Sequence, residues 1–488
     1  MNILVFSHVA NWPSHHAESI ELALSESKAK NKVFLLSCKG DLISCPANPK
    51  KTEFLCFLCR NQTKRSEKLL KFKNINFLEL KIKTIKKDYS FENINELKSI
   101  NIENFPVGRM VYSTMTTNLN DSFFNVDKHR SLLNNMINNA VGLYDSVNKI
   151  ILKNNINTVY VWNGRRSCDG PAVFAAKNNN INYKTFISGG KYNSILIREK
   201  SETVHDLKES SEEMELLVKN FNVPENKFNI TKGAIKYFDF ASGGSRDKNV
   251  NYLGYYTYSQ LFNKEYKNDL KTNKKILAIF AGTYSEYAGV PGFDSDKNFC
   301  KDFYEGINYI QQNSNKLNDY NIYIRWHPNS RFLQGNEKSK LNQILNESSK
   351  YKNVNHIPPE SDFNTYNLLK NCDTVIGFGT SVSIEACLYG KPSIFIGNNL
   401  FENLDCFYKP CSYDELFQLL SKDLSPKRFD HALIWGYWFQ NFGNYTYQFL
   451  KQKKPNEFYH GNFRLISNML FTRMLLGNIK REFKRKFK

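Results

Sequence analysis

The chain has 488 residues, 41% of them hydrophobic and 14% aromatic, with a formal net charge of +20. That length exceeds one ordinary core and implies two domains, while the apolar content excludes global disorder. The charge implies an anionic partner, either a phosphorylated substrate or an acidic membrane surface. There is neither a cysteine finger with histidine spacing nor an aromatic RNP-like strand, so nucleic acid is not the expected partner.

Residues 1–10 form a short apolar run without a basic segment before it, and they read as a strand, not as a signal peptide. No stretch reaches the roughly 20 apolar residues that span a bilayer, so the expected location is cytoplasmic, with reduced cysteines. Residues 2–7 (NILVFS) predict a strand, 8–14 a loop, 15–30 a helix and 32–37 (KVFLLS) a second strand. This opening predicts a Rossmann-like domain with a parallel sheet. Residues 38–65 interrupt it as a cysteine-rich insertion, and lysine-rich, helical sequence continues to about residue 153. A buried strand follows at 157–162 (NTVYVW), then a helix and a strand ending near 188–190.

Residues 246–273 are polar and read as an interdomain linker. A second strand–helix series has strands at 275–280, 321–326, 374–377 and 393–396. The predicted fold class is therefore α/β: two Rossmann-like domains facing a cleft, 1–245 and 274–430. A helical crossover with a basic amphipathic tail is expected over 431–488.

Ligands in open parallel sheets sit at the carboxyl ends of strands, and the candidate chemistry falls there. Arg325-Trp326-His327-Pro328-Asn329 follows one strand, and Gly377-Phe378-Gly379-Thr380-Ser381 follows another and enters a helix carrying Glu385. A small, hydroxyl-rich turn suits phosphate, Glu385 suits a ribose, and Arg325 and His327 suit a base, ribose or diphosphate. The bland readings are an N-cap for Thr380-Ser381 and a loop turn for His327-Pro328. Glu286, in a run of small residues after the first strand of the second domain, is a further donor-site candidate.

In the first domain, Asn163, Arg165 and Asp169 follow a buried strand and suggest acceptor or phosphate contact, against a tight turn with a solvated arginine. The loop after the first strand offers His8, His15, His16 and Glu18 as a catalytic base, against the plain start of a surface helix. Cys38, Cys45, Cys56 and Cys59 crowd one insertion with a C-x2-C spacing, which suggests a structural zinc site. An iron–sulfur cluster or four unligated thiols are the alternatives. Residues 463–488 place Phe463, Ile466, Leu470 and Met474 at helical spacing and end in a basic run. Such a tail can lie on an anionic bilayer, against a solvated tail after a core helix.

The RWHPN and GTSVSIEACLYGKP segments, together with the two-domain layout, resemble GT-B glycosyltransferases of bacterial capsule and lipopolysaccharide assembly. They are similar to the Kdo- and sialyl-transferase-like capsule proteins. The resemblance implies sugar transfer from a nucleotide-sugar donor to a glycan or lipid-linked glycan, by an enzyme peripheral to the inner membrane. It implies that His327, Thr380 and Ser381 hold the nucleotide, that Glu385 holds the ribose, and that no metal or other cofactor serves catalysis. Related patterns occur in UDP-sugar 2-epimerases and CDP-polyol phosphotransferases, which remain alternatives. A charge-driven, non-catalytic nucleic-acid binder is a third.

Overall fold

The computed structural model describes residues 1–43, 45–71, 73–83, 86–241, 270, 273–293, 299–470 and 472–474. The strands are β1 (Asn2–Ser7), β2 (Lys32–Cys38), β3 (Ile75–Leu80), β4 (Thr158–Trp162), β5 (Asn182–Ser188), β6 (Ser194–Glu199), β7 (Lys275–Ala281), β8 (Tyr320–Arg325), β9 (Val354–Ile357), β10 (Thr374–Phe378), β11 (Ser393–Ile396), β12 (Tyr445–Thr446), β13 (Lys451–Lys454), β14 (Glu457–His460) and β15 (Phe463–Arg464). The first sheet runs β12-β6-β5-β4-β1-β2-β3 and the second β11-β10-β7-β8-β9.

In the first sheet β3, β2, β1, β4 and β5 are parallel, and β6 and β12 are antiparallel additions at one edge. The second sheet is parallel throughout. Each sheet grows outward in both directions from a founding strand, β1 or β7. The order reverses between β1 and β4 in one sheet and between β7 and β10 in the other, and each reversal opens a crevice at the strand ends. The α/β class and the two Rossmann-like domains expected from the sequence are the observed architecture.

Helices cover both faces of each sheet, so the inner strands are apolar runs without alternation. In β1, Ile3, Leu4, Val5 and Phe6 are each buried, and each such side chain contributes about 1.5–3 kcal/mol. The helix Pro13–Lys28 begins on a proline, whose missing N–H costs nothing in the first turn. The helix Val126–Lys153 is capped by Asn125, whose side chain accepts from the Lys128 N–H at 2.8 Å.

Among the contacts that tie the domains, two involve whole elements. Asp121, in the first, caps the helix Gly335–Glu347 of the second by accepting from the N–H groups of Asn336 (2.9 Å) and Glu337 (3.2 Å). Glu337 returns the contact, accepting from the Ser122 N–H at 2.6 Å. The second tie is the end of the chain. The helix Phe429–Asn441 packs on the helix Pro224–Ala241, and β12 then joins the first sheet beside β6. Beyond the expected helical crossover the chain also forms a small antiparallel sheet, β13-β14-β15.

One carboxylate gathers four donors of the returning segment. Glu21, fully buried in the first domain, accepts from the Tyr445 hydroxyl at 2.9 Å and from the backbone N–H groups of Gln448 (2.6 Å), Phe449 (3.2 Å) and Leu450 (2.8 Å). Among the described residues no helix is long and apolar enough to cross a membrane. The predicted linker lies almost entirely outside the described residues, as does the basic run 480–488.

Candidate active site

The crevice of the second sheet is built by close backbone approach. The Gly282 N–H donates to the Phe378 carbonyl at 2.9 Å, drawing the loop after β7 against the end of β10. Gly379 follows with φ at +62°, a left-handed conformation that glycine adopts at no steric cost, and the space beside its Cα is open. Thr380 and Ser381 come next, half-buried, at the start of the short helix Val382–Leu388.

The two hydroxyls differ in what they can offer. Thr380 Oγ1 accepts from the Val382 N–H at 3.4 Å, which leaves its own proton free to donate to a ligand. Ser381 Oγ donates to Glu385 Oε1 at 2.9 Å. Tyr366 donates to the other oxygen of Glu385 at 2.7 Å, and the glutamate is fully buried. The expectation that Glu385 meets a ribose is therefore corrected: it is an internal brace between two helices. Burial raises its pKa, and a protonated Glu385 would donate to Ser381 and turn that hydroxyl toward a ligand.

At the end of β8 the motif splits by function. Arg325 is buried, donating to the carbonyls of Pro358 (2.7 Å) and Ser361 (3.2 Å). It fixes the loop after β9 instead of reaching a diphosphate, a second correction. Burial lowers its pKa to about 10. His327 is only half-buried, and its Nδ1 accepts from the Asn329 N–H at 3.1 Å. Burial lowers its pKa, against the opposing pull of Glu286. A neutral ring that accepts at Nδ1 carries its proton on Nε2, so it presents a donor to the crevice. Pro328 opens the 3-10 turn Pro328–Phe332 that holds this geometry.

Opposite stands the crevice of the first sheet. Asn163 and Gly164 both adopt left-handed conformations, at φ +64° and +89°. A Cβ on Gly164 would lie 2.2 Å from the Glu202 carbonyl, so only glycine fits under the segment that covers it. The turn aims Arg165 across the cleft, where its Nη1 donates to the Glu286 carbonyl at 2.5 Å. Glu286 itself is exposed in the 3-10 turn Tyr284–Glu286 after β7. Thus the end of β4 meets the end of β7, and Arg165 is a seam residue, not a solvated turn. Asp169 is fully buried, accepting from the Arg166 N–H at 2.8 Å, and burial raises its pKa to about 6. It shapes its own loop and does not face an acceptor directly, a third correction.

The four base candidates are all buried within the first domain, not on the start of a surface helix. His16 is held between Ser7 (3.5 Å) and Ser66 (2.6 Å), and burial lowers its pKa to about 3. His15 Nδ1 pairs with the Val9 carbonyl at 3.0 Å, and burial lowers its pKa to about 4. His8 stacks on Phe6. Glu18 accepts from Ser188, and burial raises its pKa to about 8. The helix Pro13–Lys28 lies on the sheet, so its first turns face inward, and this enclosure corrects the placing of the base on that loop.

Glu18 makes a pH prediction. Unfolded, a glutamate ionises near about 4.3; folded, this one keeps its proton to about pH 8. The folded state binds the extra proton across that window, so its contribution to stability is complete below the unfolded value and is lost as pH rises through the folded one. Glu18→Gln should therefore flatten the decline in melting temperature between about pH 5 and 8. Parallel curves for variant and parent would refute this.

Sequence reasoning passed over three residues of the cleft. Arg166 is buried, its guanidinium 5.4 Å from the Trp12 ring and 5.6 Å from the Trp162 ring, with Nε and Nη1 unpartnered. His205 is half-buried, 3.5 Å from Asn163 Nδ2 and edge-on to Tyr287 of the second domain. Burial, aided by Arg165, Arg166 and Arg198, lowers its pKa to about 3. The Arg165-Arg166 doublet after a strand was a usable signal; His205 and Tyr287 carried none.

The ten cysteines are free thiols. Burial raises the pKa of Cys38, of Cys45 to about 12 and of Cys59 to about 11. Cys38 Sγ accepts from the Gly40 N–H and Cys56 Sγ from Asn48. Cys38, Cys45, Cys56 and Cys59 lie near enough for the charge of one thiolate to raise the pKa of another; among the described residues the group of three potential ligand atoms within 4.8 Å of one another lies elsewhere.

The sequence matches no family model and no curated protein. Among solved structures, the chain is similar to the KpsC β-Kdo 2,4 transferase of Thermosulfurimonas dismutans, at 14% identity and TM-score 0.36, covering 57% of this chain and 78% of that one. A likeness to the UDP-GlcNAc 2-epimerase of Methanocaldococcus jannaschii has 12% identity and TM-score 0.30, covering 89% and 98%. One to Acinetobacter baumannii MurG has 8% identity and TM-score 0.28, covering 90% and 94%.

Proposed function

We propose that this chain is a glycosyltransferase that moves a sugar from a nucleotide-sugar donor, held by the second domain, to a glycan or glycolipid acceptor held by the first. The observation that carries the reading is the Arg165–Glu286 contact, which sets the crevice of one sheet against the crevice of the other. A donor in the second crevice would pass close to Gly379, whose own N–H is held by the Ile396 carbonyl, and would meet the Thr380 hydroxyl and the His327 Nε2–H. Those donors would stabilise the phosphate charge that develops as the sugar leaves. Arg166, buried with two unpartnered guanidinium nitrogens, favours an anionic group in the first crevice. The exposed Glu286 and the neutral His205, one from each domain, are the groups placed to receive the acceptor's proton.

The test is a thermal-shift screen against CMP, CDP, UDP, GDP and their sugar conjugates. A ligand that binds only the folded chain raises the melting temperature by mass action. A rise with one nucleotide supports the donor site and names its class; no rise at millimolar ligand overturns it. Product analysis with and without acceptor separates transfer from epimerisation, since an epimerase needs no acceptor.

We assign the polymer to a bacterial surface polysaccharide built on a membrane carrier. The basic run 480–488 supports this through its attraction to anionic headgroups, about 1 kcal/mol per lysine or arginine near the surface. Deleting it should weaken co-sedimentation with anionic liposomes; unchanged sedimentation would refute the membrane role.

A further inference from the structure

We propose that His8, Cys168 and Asp169 bind one divalent transition-metal ion, zinc by preference, which ties the end of β1 to the loop after β4. One ligand atom from each lies within 4.8 Å of the other two, and all three residues are buried. His8 follows β1, and the other two immediately precede the helix Gly170–Asn178, so a single ion would clamp both walls of the first crevice.

Three features point to a metal. The Phe6 carbonyl is the backbone group beside the His8 ring, and neither ring nitrogen has a side-chain partner, so this buried imidazole keeps a lone pair to give. Cys168 Sγ stands 3.6 Å from Asp169 Oδ2. Tetrahedral zinc, with Zn–S of about 2.3 Å and Zn–O of about 2.0 Å, demands a sulfur–oxygen edge of about 3.5 Å. Asp169 Oδ1 is already held by the Arg166 N–H, the kind of outer contact that orients a metal-binding carboxylate.

The donor set of one nitrogen, one sulfur and one oxygen suits zinc over magnesium or calcium. A thiolate and a carboxylate cancel its charge, which lets the ion sit in a buried site beside Arg166. Binding releases the thiol proton to solvent, and the ion enters as the chain folds. The fourth position is left to water.

Metal content of the purified full-length chain tests this. The expected result is about one zinc per chain, retained in Cys56→Ser/Cys59→Ser and lost in Cys168→Ser and in His8→Ala. No zinc in the parent, or zinc that survives Cys168→Ser or disappears with Cys56 and Cys59, overturns the proposal. Should the Cys168 and His8 variants fail to fold, cobalt substitution of the parent decides. A charge-transfer band of one thiolate supports the site; a band of several thiolates, or none, overturns it.

Discussion

Replacing Glu21 with alanine is expected to destabilise the chain by about 3 kcal/mol, among the larger losses a single substitution outside the apolar core can cause here. The carboxylate is fully buried and is the common acceptor for Tyr445 and for the N–H groups of Gln448, Phe449 and Leu450. Hydrogen bonds to a charged acceptor contribute about 1.5–3 kcal/mol each, and some of these donors will regain water when the segment loosens. Urea unfolding of parent, Glu21→Ala and Glu21→Gln measures the effect. The glutamine keeps one acceptor oxygen and loses the charge, so it should fall between the other two. A loss below about 1 kcal/mol for alanine would show that packing and the β12–β6 pairing hold the returning segment without Glu21.

Replacing His327 with alanine is expected to cut transfer about 100-fold or more, the scale on which one lost transition-state donor is felt, with little change in melting temperature. The residue sits half-buried at the start of a 3-10 turn, outside the apolar core. Its second role is to accept from the Asn329 N–H, which fixes the turn. His327→Asn separates the two roles, because asparagine is a good acceptor at a turn start. The turn should then survive while activity stays low. Full activity in either variant would remove His327 from the donor site.

Much of the framework was legible because the central strands are buried on both faces and must be apolar from end to end. The runs at 2–7, 32–37, 157–162, 275–280, 321–326, 374–377 and 393–396 coincide with β1, β2, β4, β7, β8, β10 and β11 to within a residue or two. β3 was lost in lysine-rich sequence that reads as helical. Its residues Asn76, Phe77 and Leu78 are only partly covered at the sheet edge and Glu79 is exposed, so no long apolar run marks it. β9 is four residues long, with two half-buried side chains between two buried ones, too little for a periodic signal.

The site was legible by position and less so by role. Glycines, hydroxyls and His327 fall at the strand ends where they were expected. Direction was the missing information. Arg325 closes β8 and turns toward the 358–361 loop, and Glu385 turns inward to Tyr366, a partner 19 residues earlier. His16 meets Ser66 across 50 residues. Such partners are set by helix rotation on the sheet, which local spacing does not encode.

The edge strand β12 and the Glu21 anchor are made from chain that follows the whole second domain. During synthesis the first domain emerges early, yet one edge of its sheet stays uncovered until about 200 further residues have left the ribosome. An open β6 edge exposed for that interval is a template for pairing with another nascent chain. The molecule thus closes like a belt whose buckle is threaded last, and cutting it between the domains should leave the first half prone to aggregate even though its own five parallel strands are present.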